Sequence, residues 1–80
     1  MKIGDRIRVN NGINDPDFKS RDLSGYTGYI EEIVNDDLVG IEWDKATLRK
    51  FGAKFMRKCD RSNLDYRTMA LAIDEIEVIK

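Results

Sequence analysis

Five basic side chains, Lys50, Lys54, Arg57, Lys58 and Arg61, recur along the chain at helical spacings of three and four. Wound into a helix, that spacing sets them along one side. Phe51, Phe55 and Cys59, at i, i+4 and i+8, share the opposite side with Met56 next to them. A row of ammonium and guanidinium groups does electrostatic chemistry. It can track a nucleic-acid backbone through its phosphates without reading sequence, or it can meet the carboxylates of an acidic protein surface. It can also be a solvated face that pairs with the acidic remainder of the chain. Segment 45–61 holds seven basic residues against Asp60 alone, a net charge of +6, so the formal total of −1 conceals a bipolar molecule. Nucleic-acid domains usually carry a strongly basic total. The near-neutral sum therefore favours a protein partner and keeps RNA or DNA as the alternative.

Other chemistries have less to stand on. There is no His, which removes Ser–His and Cys–His nucleophile pairs, imidazole bases and imidazole metal ligands. The single Cys59 makes no internal disulfide and no zinc site. Its register with Phe51 and Phe55 predicts a buried, apolar thiol. Asp15-Pro16-Asp17 with Asp22 lacks the offsets of a calcium loop and reads as a turn. Among the aromatics, Trp43 shares an apolar face with Val39 and Ile41 and belongs to the core, while Tyr29 points outward beside an inward Ile30. Tyr26, between Gly25 and Gly28, is the aromatic expected to be exposed and to touch a ligand. The expectation is a protein that is not an enzyme and needs no cofactor and no metal.

The elements that must hold these residues are short. Eighty residues make one small domain, which buries only about 60% of its unfolded surface. No apolar run approaches a membrane span. Residues 6–10 alternate, with Ile7 and Val9 on one face. A long loop follows over 11–24, pinned by Ile13, Phe18 and Leu23. Residues 29–34 form a strand in which Ile30 and Ile33, three apart, predict a bulge. Asn35-Asp36-Asp37 turns into a strand over 38–43, making a hairpin. Thr47-Leu48-Arg49 reads as a short strand, residues 52–61 as a helix ended by Ser62-Asn63, and Met69 to Ala72 as another strand. A single turn at Asp74-Glu75-Ile76 precedes a last strand over 77–79. Five or six short strands in so small a chain hide one apolar face most economically by curling into a barrel.

Four segments carry a resemblance to the SH3-like small barrels: Gly4-Asp5-Arg6-Ile7-Arg8-Val9, Gly25-Tyr26-Thr27-Gly28-Tyr29-Ile30-Glu31-Glu32-Ile33, Val39-Gly40-Ile41-Glu42-Trp43-Asp44 and Asp74-Glu75-Ile76-Glu77-Val78-Ile79. They touch about a third of the chain, in the family's order. The chain resembles uncharacterised small prokaryotic SH3-like proteins with a Gly-Asp-Arg … Trp-Asp … Thr-Leu pattern and an inserted helix. More distantly the chain is similar to the electron-transport accessory barrels (the photosystem I accessory subunit and the ferredoxin–thioredoxin reductase variable chain) and to KOW-type domains. The resemblance implies a mainly β barrel with one inserted helix at about 52–61. SH3-like barrels host peptide binding, nucleic-acid binding and structural docking, so the fold does not choose between them.

Taken together, these readings predict a docking module that meets its partner through the basic helix face and a long acidic 11–24 loop. The absence of disulfide staples in so small a domain points to a reducing, cytoplasmic setting. Met1 to Asp5, with no apolar core, carries no signal-peptide pattern. A monomer or a weakly associating unit is expected.

Overall fold

The computed structural model describes residues 1–80 except Asp17, Leu64 and Lys80. Alternation sets the first strand, β1 (Arg6–Val9): Ile7 and Val9 are buried while Arg6 and Arg8 face solvent. The second, β2 (Thr27–Ile33), starts in phase with Gly28 and Ile30 inward and then slips. Its register against β3 (Leu38–Trp43) shifts between Ile30 and Glu32, which is the bulge that the Ile30/Ile33 spacing predicts. Past the bulge Ile33 is half exposed. In β3, Val39, Ile41 and Trp43 all turn inward, as their period of two requires.

The short strand expected at Thr47-Leu48-Arg49 is instead a single helical turn, α1 (Lys45–Leu48). The reason is a cap. Asp44 sits in extended backbone and its Oδ1 accepts the Thr47 N–H at 2.9 Å, satisfying a donor that the first turn leaves over. The inserted helix, α2 (Ala53–Arg61), follows with Gly52 as its cap residue, and Asn63, just past its end, takes φ 56°. Next come β4 (Thr68–Ala72), one 3-10 turn (Ile73–Glu75) and β5 (Ile76–Val78). Glu75 closes that turn by accepting the Ala72 N–H through Oε1.

The protein is mainly β. Its five strands make one antiparallel sheet in the order β4-β3-β2-β1-β5. Among the described residues the sheet is not closed: β4 and β5 lie at its two ends and do not pair with each other. Ile7, Val9, Ile30, Val39, Ile41, Trp43, Leu71 and Ile76 of the sheet form the core, with Leu23 from the long loop and Phe51 from the α1–α2 connection. No helix among the described residues is long and apolar enough to cross a membrane.

Candidate functional site

The loop over 11–24 is internally organised. The Leu23 N–H reaches the Ile13 carbonyl and the Asp15 N–H the Arg21 carbonyl, with Asn14 and Asp22 bridged between them. Leu23 is fully buried, and Ile13 packs on the core, both as expected. Phe18 leans edge-on against Phe55 of α2, with centroids 5.3 Å apart.

Between loop and helix lies Arg21. Its guanidinium carbon stands 3.6 Å from the Phe55 ring centroid and 4.7 Å from that of Phe51. One guanidinium nitrogen meets the Asp15 carboxylate at 3.3 Å, and the other donates to the Tyr26 hydroxyl. Asp15 is 1% exposed and also accepts the Phe18 N–H. The acidic loop face anticipated from Asp15, Asp17 and Asp22 is therefore reduced. Asp15 is turned inward against Arg21, and Asp17 lies outside the described residues. Asp22 stays exposed, and the Ser24 hydroxyl, then the Ser24 N–H, holds its carboxyl below the ordinary value. The loop acts as a brace for α2.

Amphipathic spacing then decides which way α2 faces. Cys59 is buried, Phe55 and Met56 are half-buried, and Lys54, Arg57, Lys58 and Arg61 are exposed. Those four line one open depression on the helix surface. Among the described residues none of them is in an ion pair; the ion pairs run Arg6–Asp44, Arg8–Glu77, Arg21–Asp15 and Arg67–Asp65. Among the described residues no ion pair joins these cations to the chain's own carboxylates, and the face is open to solvent. Lys58 and Arg61 also fall in the last turn, where positive charge suits the carbonyl end of the helix.

Two of the residues singled out in the sequence are placed differently. Lys50 precedes α2 and does not continue its basic row; its Nζ lies 5.4 Å from the Tyr26 ring centroid. Tyr26 is half-buried. Its ring stands edge-on to Trp43 at 5.7 Å and tilted against Phe51 at 5.9 Å. Gly25 takes φ 81° just before it, and the partly buried ring packs against the core. Tyr26 thus belongs to the support of the site. Arg21 went unnoticed in the sequence because its partners lie up to 34 positions away.

At the other end of this support sits a hydroxyl–carboxylate cluster. Thr47, 1% exposed, donates to the Thr27 carbonyl and accepts the Thr27 N–H, and the Thr27 hydroxyl donates to Asp44. Burial pushes the Asp44 carboxyl up, but the hydrogen bonds from Thr27 and Thr47, with Arg6 3.5 Å away, outweigh it and hold the group below its ordinary value. This cluster ties α1 to β2 and fixes where the chain leaves the sheet for α2. No group of three described Cys, Asp or Glu residues is placed to hold a metal ion. What the basic face offers is a set of charge-assisted hydrogen-bond donors on a braced helix, suited to carboxylate or phosphate. Comparison with known protein families, with curated proteins and with solved structures found no match.

Proposed function

We propose that the chain is a non-enzymatic docking module of the SH3-like class, which binds an acidic protein surface through the basic face of α2. The strand order β5-β1-β2-β3-β4 and the 3-10 turn before the last strand support the class. The observation that carries the function is the exposure of Lys54, Arg57, Lys58 and Arg61 on one face, free of ion pairs among the described residues. Long-stemmed cations of this kind steer an oppositely charged partner and speed association more than they deepen affinity. The module acts in the cytoplasm as a monomer or weakly associating unit.

RNA or DNA is the second reading, held by the same four cations. Two observations support the first reading over it: the near-neutral total charge, and the packing of the half-buried Tyr26 ring against Trp43 and Phe51, which leaves less of it for stacking. Titrating the labelled chain with a polyglutamate peptide, and separately with single-stranded RNA and duplex DNA, discriminates the two by residue-resolved NMR. Shifts over 45–61 with polyglutamate support protein docking. Shifts with nucleic acid alone, lost steeply between about 50 and 200 mM salt, support the second.

A further inference from the structure

The basic segment is preceded by its opposite. From Asp22 to Asp44 the chain carries seven carboxylates and no Lys or Arg. In the fold that stretch is mainly the β2–β3 hairpin, and its turn lies at the far end of β3 from the point where the chain enters α1 and α2. Glu31, Glu32, Asp36 and Asp37 are exposed there, with Ile33 and Val34 each 48% exposed between them. Only Asp44, at the α1 end, is in an ion pair among the described residues of the stretch. One chain therefore presents an exposed acidic hairpin with two apolar side chains and a basic helix face, both without ion pairs among the described residues. Neither neutralises the other within the molecule.

We infer that the basic face of α2 docks onto the β2–β3 hairpin of a second copy of this chain. Charge complementarity selects that occupant, and Ile33 and Val34 give the contact an apolar centre against the aliphatic stems of the lysines and arginines. The two surfaces differ, so the contact is heterologous: each copy that docks leaves one pole free and association continues head to tail. The inference rests on α2 being a docking face and names a partner for it.

Sedimentation equilibrium at about 20 mM salt, where screening extends over some 20 Å, tests it. The apparent mass of the wild-type chain rises with concentration past twice the monomer mass and returns to monomer at about 0.5 M salt. The variant with Lys54→Glu and Arg57→Glu stays monomeric alone, as does the variant with Glu31→Gln and Asp36→Asn. Their mixture forms a 1:1 complex that grows no further, because one retains the acidic pole and the other the basic pole. A wild-type chain that stays monomeric at low salt overturns the inference, and so does a mixture of two folded variants that does not associate. If polyglutamate still shifts residues 45–61 in that case, the docking face survives and only the second copy is lost as its partner.

Discussion

The Arg21 guanidinium lies 3.6 Å above the ring of Phe55, joining a loop residue to a helix residue 34 positions away. The same group neutralises Asp15, which is 1% exposed, and donates to Tyr26. One side chain thereby sets the position of the loop, the inner side of α2 and Tyr26 together. The basic outer side of α2 inherits its orientation from that arrangement.

Replacing Arg21 by Ala removes the stack on Phe55, the donor to Tyr26 and the guanidinium that meets the buried Asp15 carboxylate. The expected loss is roughly 3 kcal/mol, measured by urea unfolding. Arg21→Lys restores the charge but not the planar guanidinium over Phe55, so it recovers less than half of that loss. A loss under about 0.5 kcal/mol for Arg21→Ala would show that the loop is held by Leu23 and Phe18 alone.

Asp44 makes stability depend on pH in a definite direction. Its carboxyl is held below the ordinary value of 3.8 in the folded chain, so the unfolded chain binds its proton first as pH falls. The stabilisation is fully present well above 3.8 and is lost as pH falls through 3.8 towards the lower folded value. Asp44→Asn removes this part of the acid dependence. It also costs about 1 kcal/mol at neutral pH through the weakened cap of α1 and the lost pair with Arg6. Urea midpoints measured from pH 7 down to pH 3 for both chains check the sign: the curves converge in acid.

Gly28 faces the backbone of β3. A Cβ there meets the Glu42 carbonyl oxygen at a forbidden distance and Ile41 Cγ2 at 3.0 Å. Gly28→Ala should therefore cost about 2–3 kcal/mol by forcing β2 and β3 apart. At Gly40 the nearest atom to an added Cβ is Glu32 Cβ at 3.3 Å, on an exposed residue of the bulged strand. Gly40→Ala should cost well under half as much, and comparing the two thermal midpoints tests the difference.

Reversing charge on the helix should separate binding from folding. Lys54 and Arg57 are exposed and make no ion pair among the described residues, so Lys54→Glu with Arg57→Glu leaves the unfolding free energy within about 0.5 kcal/mol. Binding of polyglutamate should weaken by about tenfold or more, as attractive surface pairs become repulsive ones. Fluorescence anisotropy at two salt concentrations reads this directly.

Much of the architecture was legible where a single period ran unbroken. Val39, Ile41 and Trp43 announced β3, and the broken spacing of Ile30 and Ile33 announced the bulge. Phe51, Phe55 and Cys59 marked the buried side of the helix region, so its exposed basic side followed. At α1 the sequence held the signal, an Asp before four non-Gly, non-Pro residues, but β-branched Thr47 pulled the reading towards a strand. The flanking glycines suggest a freely exposed Tyr26, whereas its ring is half-buried and packs against Trp43 and Phe51, contacts that no local pattern announces. Arg21 was invisible for a different reason. Its role depends on Asp15, Phe51 and Phe55 converging in space, and no local pattern encodes that convergence.

The most direct test of the docking account is a residue-resolved NMR titration of the wild-type chain with a polyglutamate peptide at low and moderate salt, with RNA and DNA as parallel arms. The account predicts salt-sensitive shifts centred on Lys54, Arg57, Lys58 and Arg61, with Tyr26 and the core unmoved. An absence of shifts on α2 with polyglutamate, or shifts with nucleic acid alone, would contradict it.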